Sequence, residues 1–190
     1  MKFLLIASLA ESLINFRGPL IAALQSSGLQ VHVAAPDLPE GDPTRQQLQA
    51  RGVVVHHVAL RRTGTNPLAD AHTLWSLWRL MRRVRPDHVL AYTVKPVIYG
   101  SLAAWLSGVP RRTALITGLG YAFQQQRRGG VLQAVVHGLY ALALARVDTV
   151  FFQNPDDEAL FRQRALLAPG ARTCVVNGSG VDVAAFAVAP

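Results

Sequence analysis

The sequence predicts an α/β protein in three layers, a parallel sheet of six or seven strands with helices on both faces. Three observations point there. Short apolar runs too uniform to be half-exposed strands recur along the chain, which is the pattern of strands buried on both faces. Amphipathic helical stretches separate them. Pro and Gly punctuate those stretches at their starts and ends. Strands joined by helices require right-handed βαβ crossovers, so the sheet should be Rossmann-like, with a central order 3-2-1-4-5-6 and a crevice at the carboxyl ends of strands 1 and 4.

The strands are expected in "KFLLIAS" (2–8), "QVHVAAP" (30–36), "VVVHHVA" (53–59), "DHVLAYT" (87–93), "RTALIT" (112–117), "DTVFFQN" (148–154) and "TCVVN" (173–177). The first helix should open at Arg17-Gly18-Pro19 and close at Gly28. The second runs from Pro43 to Gly52, and the third, Leu68 to Val84, is ended by Pro86. Pro96 to Gly108, Gly130 to Arg146 and Pro155 to Leu167 complete six helices. The 190 residues suit one domain, and 51% hydrophobic with 16% charged residues excludes a disordered chain.

The first ten residues, "MKFLLIASLA", superficially resemble a signal peptide. Their apolar run is short and no clear cleavage site follows, so they read as the buried first strand. The nearly uncharged stretch from Gly129 to Ala145 is too short to span a bilayer and is interrupted by Gln133, His137 and Gly138. The lone Cys174 permits no internal disulfide, which favours a reducing, cytoplasmic compartment, and it reads as a small core residue. The net charge of +8 arises from 19 Lys plus Arg against 11 Asp plus Glu, and only Lys2 and Lys95 are lysines. Such an excess implies an anionic partner, or an Ala/Arg-rich composition alone.

The loops after the strands carry the candidate chemistry. After strand 1, "LAESLINFRGPL" lacks the glycine fingerprint of a dinucleotide site but offers Ser12, Asn15 and Arg17. Arg17 stands beside a helix start, where an anion is already favoured, and either faces a phosphate or is a solvated or capping arginine. After strand 3, Arg61 and Arg62 lie beside Thr63, Gly64 and Asn66 in a polar loop suited to phosphate or sugar hydroxyls, or simply solvated. After strand 4, Lys95 precedes Pro96 at a helix start, where a cation opposes the dipole and calls for an anionic partner.

After strand 5, Thr117, Gly118, Gly120 and Tyr121 begin a glycine-rich loop, and Tyr121 or Phe123 can stack on a sugar or plug the core. Gln124 to Gly130 reads equally as a lid or a surface loop. After strand 7, Asn177, Gly178, Ser179 and Gly180 form a polar loop at an expected ligand edge. Within "LWSLWRLMRRVR" (74–85), Leu74, Leu77, Trp78 and Met81 share one face, Arg79 and Arg83 lie opposite, and Trp75 and Arg82 flank the boundary. That pattern fits either a membrane-interface helix or one packed on the sheet, and the second is favoured unless Trp75 is exposed. None of the six histidines has metal-ligand spacing, and His56-His57 points to opposite faces of a strand, so no metal is expected.

Taken together, "INFRGPLIAAL", "YTVKPVIYGSLAA", "ITGLGYAF", "VFFQNPDDEALF" and "NGSGVD" resemble, in order and across almost the whole chain, motifs of the N-terminal domain of family-4 retaining glycosyltransferases with the GT-B fold. The likeness is greatest to bacterial enzymes that build O-antigen, capsule or other glycans on undecaprenyl diphosphate. The resemblance implies sugar transfer from a nucleotide-sugar donor to a polyprenyl-diphosphate-linked acceptor, in the cytoplasm at the inner face of the cell membrane. It implies no metal or other cofactor. The partners it implies are the two substrates, an anionic membrane surface and a C-terminal donor-binding domain that this chain does not include, and not nucleic acid.

Ser12, Asn15, Arg17, Arg62 and Lys95 would then bind the acceptor and its phosphates, and Thr117, Gly118, Tyr121, Asn177 and Gly178 would line the cleft. Thr117-Gly118 stand where many members have a His, and the first loop lacks the paired glycines of many relatives, so no residue is assigned as catalytic. On this reading the 190 residues are one acceptor-side domain, inactive alone. The alternatives are a standalone nucleotide- or phosphate-binding module and half of a sugar-nucleotide 2-epimerase.

Overall fold

A computed structural model of the chain describes residues 1–64, 66–118 and 130–179. In chain order the elements are β1 (Lys2–Ile6), α1 (Glu11–Asn15), α2 (Gly18–Ser26), β2 (Gln30–Ala35), α3 (Pro43–Ala50), β3 (Val54–His57), α4 (Pro67–Val84) and β4 (His88–Tyr92). A π-helical turn, Pro96–Gly100, leads into α5 (Ser101–Leu106). Then come β5 (Arg111–Ile116), α6 (Val131–Leu144), β6 (Thr149–Phe152), α7 (Pro155–Gln163) and β7 (Thr173–Val175).

The strands form one seven-stranded sheet in the order β3-β2-β1-β4-β5-β6-β7, and every pair is parallel. The expected six- or seven-stranded parallel sheet is therefore present, with the expected central order. Successive residues of β1 serve opposite faces, as the two-residue period of a strand requires. Leu4 and Ile6 join the core beneath α4, α5, α6 and α7, where Leu77, Met81, Val97, Ala103, Tyr140 and Phe161 are buried. Phe3 and Leu5 join the opposite core with Leu13, Ile21 and Leu48 of α1, α2 and α3. Both faces of the strand are covered, which is why its sequence is apolar throughout.

Most helix boundaries follow local chemistry. Asp42 accepts a hydrogen bond from the Arg45 amide at 3.0 Å, capping α3, and Asn66 and Asn154 cap α4 and α7 in the same manner. Each of these helices then opens on a proline, whose missing N–H removes nothing the first turn needs. The expected first helix is different: the loop after β1 contains its own short helix, α1, before α2 starts at Gly18. The helix expected at Pro96 begins as the π-helical turn. There Gly100 lies against the sheet, and an added Cβ would stand 3.0 Å from Ile6 Cδ1 and 3.3 Å from Ala91 Cβ.

Two packing expectations are corrected. Cys174 is exposed, because β7 is a three-residue edge strand with little cover on that face. Trp78 lies at the margin of the α4 contact and is 37% exposed, because the buried stripe runs through Thr73, Leu77, Leu80, Met81 and Val84. Trp75 is 50% exposed. No helix among the described residues is long and apolar enough to cross a membrane.

His32 of β2 and His56 of β3 stack at 5.3 Å with an Nδ1···Nε2 distance of 2.9 Å. His56 is held down to about 4, first by burial and then by the neighbouring His32, Arg83 and Arg45 charges. His57, on the other face, accepts from the Leu38 amide. A histidine whose folded value lies below its unfolded one binds fewer protons when folded. Its contribution to stability is therefore complete above about pH 6.5 and is lost as pH falls towards 4. Because His56 is only partly buried, screening limits the effect to about 1–2 kcal/mol. Unfolding free energies from denaturant titrations at pH 7.5 and 4.5 should differ by that amount, and His56→Gln should flatten the difference. An equally steep fall in the variant would place the titrating group elsewhere.

Candidate functional site

The connection from β1 leaves towards β2 and that from β4 towards β5, so the sheet order reverses between these two neighbouring strands. Their carboxyl ends therefore leave a crevice in which loop side chains can meet a ligand. Three linked groups of residues occupy this point.

The first is built on Tyr92, the last residue of β4. Its hydroxyl lies 2.8 Å from Ser12 Oγ in α1, and Ser12 Oγ donates to the Leu9 carbonyl at 2.6 Å. A serine has one proton to give, so Tyr92 is the donor in the bond they share. Burial pushes the Tyr92 phenol up to about 12, against the opposing effects of the Ser12 bond and the Arg17 charge, and it stays protonated. The Arg17 guanidinium lies over the Tyr92 ring, 4.6 Å from its centroid. Arg17 is only 4% exposed. One of its terminal nitrogens donates to the Phe16 carbonyl at 3.3 Å, and its Nε has no partner among the described residues.

Burial lowers the Arg17 value, with Tyr92 opposing, but an arginine remains charged. No carboxylate among the described residues forms an ion pair with it. Its burial excludes the solvated alternative, whereas its bond to the Phe16 carbonyl at the end of α1 is the internal cap that the other alternative describes. Arg17 also precedes α2 as its N-cap residue, where the helix dipole further favours an anion.

The second group is Ser8 with Thr93. Thr93 Oγ1 donates to Ser8 Oγ at 2.7 Å, tying the end of β1 to the end of β4. Thr93 has φ of 69°, a left-handed conformation that a β-branched residue adopts at a cost of about 1–3 kcal/mol. This strained residue immediately follows β4 at the switch point, and its carbonyl accepts from the Val97 amide at 2.9 Å.

The third is Lys95 with Asp70 and Tyr99. Lys95 Nζ lies 2.6 Å from Asp70 Oδ1, and the two side chains are 13% and 17% exposed. The Tyr99 phenol is pushed up by burial first and then by the neighbouring Asp70. The anion that a cation before Pro96 calls for is thus supplied within the protein. Asp70 is well placed, in the first turn of α4 where the dipole favours a carboxylate. Lys95 itself has α-helical dihedrals (φ −69°, ψ −43°), which a following proline disfavours, so the ion pair helps to hold the turn.

The other expected site residues are more dispersed. Asn15 is exposed at the end of α1, one turn from Ser12. Arg62 is exposed after β3, two strands from β1 and so about 10 Å along the sheet. Thr117 and Gly118 are half-buried after β5, next to β4. Asn177 and Gly178 are exposed after β7, three strands from β4, and Ser179 there accepts from Gln153 Nε2 at 2.8 Å. Tyr121 lies outside the described residues. Ser8, Tyr92, Thr93 and Asp70 escaped the sequence reading. The first three stand at strand ends, which was the available signal, whereas Asp70 is remote in sequence from the lysine it holds. Among the described residues, no group of three or more His, Cys, Asp or Glu side chains is placed to hold a metal ion.

This geometry can be set beside known proteins. Over 176 residues the chain is 26% identical to the N,N'-diacetylbacillosaminyl-diphospho-undecaprenol alpha-1,3-N-acetylgalactosaminyltransferase of Campylobacter jejuni, covering 92% of this chain and 45% of that protein. Among solved structures, MurG of Acinetobacter baumannii matches with a TM-score of 0.61 at 16% identity, over 97% of this chain and 47% of MurG. The UDP-GlcNAc 2-epimerase of Neisseria meningitidis, solved with UDP-GlcNAc bound, matches with a TM-score of 0.63 at 16% identity, over 94% and 47% of the two chains. The chain thus spans about half the length of these relatives, and the two solved structures establish a shared fold. The model of the family described as "Glycosyl transferase 4-like" matches residues 2–154, most of the sheet and the whole β1/β4 crevice, so this chain belongs to that family.

Proposed function

We propose that the chain forms the acceptor-side half of a GT-B glycosyltransferase that moves a sugar from a nucleotide sugar to a polyprenyl-diphosphate-linked acceptor in bacterial surface-glycan synthesis. The observation that carries this reading is Arg17, a buried guanidinium at the switch point whose Nε has no partner and which pairs with no carboxylate among the described residues. An unpaired buried charge is costly, and a diphosphate oxygen is the compensating group that this position, at the start of α2, suits best. The acceptor class comes from the Campylobacter enzyme, whose name specifies a diphospho-undecaprenol acceptor.

In this reading Tyr92 and Ser12 hold the guanidinium in place, and Thr93 with Ser8 fixes the gap between the two strands. Asn15 and Arg62 would meet the outer part of the acceptor, and Thr117, Gly118, Asn177 and Gly178 would border the donor. Lys95 would act through the shape of the turn rather than by direct contact, because Asp70 occupies its charge. The leaving diphosphate would be stabilised by amides, helix dipoles and cations without a metal. Acting on a lipid-linked acceptor would place the protein at the cytoplasmic face of the membrane.

Calorimetric titration of this chain with a soluble prenyl-diphosphate sugar, beside a nucleotide-sugar control, tests the reading. Binding of the prenyl-diphosphate sugar with only weak binding of the nucleotide sugar is expected. Tight nucleotide-sugar binding without acceptor binding would reverse the assignment of the two sides. Measurable transfer by residues 1 to 190 alone would overturn the idea of a half-site.

A further inference from the structure

Among the described residues, Phe16 is the most exposed Phe, Tyr or Trp side chain, 53% open where it ends α1 beside the crevice. A phenyl ring left in water gives up the burial that normally stabilises such a side chain, so its position calls for a reason. The other apolar residues of the same short helix do not share this exposure. Leu13 is fully buried, and Ile14 is partly buried against the core. The backbone holds the ring from both sides. The Phe16 amide donates to the Ser12 carbonyl at 3.0 Å, and the Phe16 carbonyl accepts from Arg17 at 3.3 Å. Ser12 is in turn tied to Tyr92 at the end of β4.

The residue after this ring is the buried Arg17, whose Nε has no partner among the described residues. In the proposed function that guanidinium holds a diphosphate oxygen. A sugar joined to the same diphosphate through one oxygen then meets the residues that flank Arg17. On one side these are Gly18 and Pro19, whose side chains have no hydrogen-bonding group. On the other are Phe16 and Asn15, an open aromatic ring beside an exposed carboxamide. A pyranose uses both kinds of partner, because the C–H groups of its ring make an apolar face and its hydroxyls lie around the rim.

We propose that Phe16 is the platform for the pyranose attached to the diphosphate of the lipid-linked acceptor, with its ring against the C–H face of the sugar and Asn15 bonding a substituent at the rim. The inference rests on the proposed function and deepens it by naming residues that read the acceptor's sugar rather than its phosphates. The charge beside the ring selects this occupant. A bare prenyl chain gains nothing from a neighbouring guanidinium, and a second copy of the chain paired through this face would bring like charges together. A phenyl ring on a fixed backbone, with only two side-chain torsions, loses little freedom when the sugar arrives.

Calorimetric titration of this chain with a soluble prenyl-diphosphate sugar, and with the same prenyl diphosphate lacking the sugar, tests the platform. Phe16→Ala and Phe16→Leu should weaken the sugar-bearing ligand by about three- to tenfold, and Phe16→Tyr should keep the original affinity, because stacking needs a ring rather than apolar bulk. Asn15→Ala should weaken the same ligand by about threefold. The sugar-free ligand should bind the original chain and all four variants alike. Both side chains are exposed, so denaturant midpoints should not move. Equal losses for the two ligands would put the ring on the diphosphate or the prenyl chain, and full affinity in Phe16→Leu would remove stacking. A loss seen only with a nucleotide sugar would give the ring to the donor. Self-association that disappears in Phe16→Ala, read by sedimentation, would make it a protein interface. Each of these four results overturns the proposal. In all of them, weaker binding of the sugar-free ligand by Arg17→Gln would leave the proposed function standing, whereas failure of the original chain to bind either ligand would end both.

Discussion

On the proposed function, replacing Arg17 by Gln in a transferase built on this domain is expected to lower kcat/KM for the lipid-linked acceptor by about tenfold to a hundredfold. A hydrogen bond to a charged group contributes about 1.5–3 kcal/mol, and a buried site lies towards the upper end because water cannot replace the lost contact. The nucleotide-sugar KM should change little, since Arg17 belongs to the β1 side of the crevice. Stability should also change little. The variant loses the contact with the Tyr92 ring, about 1–2 kcal/mol, but it also relieves a buried charge that pairs with no carboxylate among the described residues. Steady-state kinetics with each substrate varied in turn, together with a denaturant midpoint, separate these effects. Unchanged acceptor kinetics in a folded variant would remove Arg17 from the site, and a loss confined to the donor KM would put it on the wrong substrate.

Removing Asp70 should have the larger effect on the fold. Asp70→Ala leaves Lys95 mostly buried with no counterion. Breaking such a pair costs about 3–5 kcal/mol when fully buried, and the remaining exposure of both side chains brings the expectation to about 2–3 kcal/mol. Lys95→Met should cost less, because a carboxylate in the first turn of α4 keeps the favourable helix dipole and some access to water. The double variant Asp70→Leu/Lys95→Met should recover most of the loss, which gives a coupling energy measurable in a double-mutant cycle. Additive losses would show that the pair does not hold the turn. If Lys95→Met lost turnover with its stability intact, the lysine would instead be a substrate-binding cation.

The sheet was readable from local pattern because its strands are covered on both sides. An apolar run such as "KFLLIAS" announces a parallel strand wherever a helix layer protects each face, and the alternation with helices leaves few topologies open. The Pro and Asn or Asp signals at Asp42, Asn66 and Asn154 are equally local, since capping acts within three residues. Positions at strand ends marked Arg17 and Lys95 for the same reason.

What each of those cations does depends on groups far away along the chain. Arg17 is a buried cation because Tyr92, 75 residues later, provides a ring beneath it, and Lys95 is neutralised because the crossover helix α4 brings Asp70 to the turn after β4. Thr93, with its left-handed backbone, likewise bonds to Ser8 at the end of the neighbouring strand. The exposed Trp75, the exposed Cys174 and the short helix α1 share that origin. Periodicity records which residues prefer burial, but whether a given side chain is covered, and by which charge, depends on the partners that the sheet order brings to it. Those contacts form only when strands 1 and 4 come together.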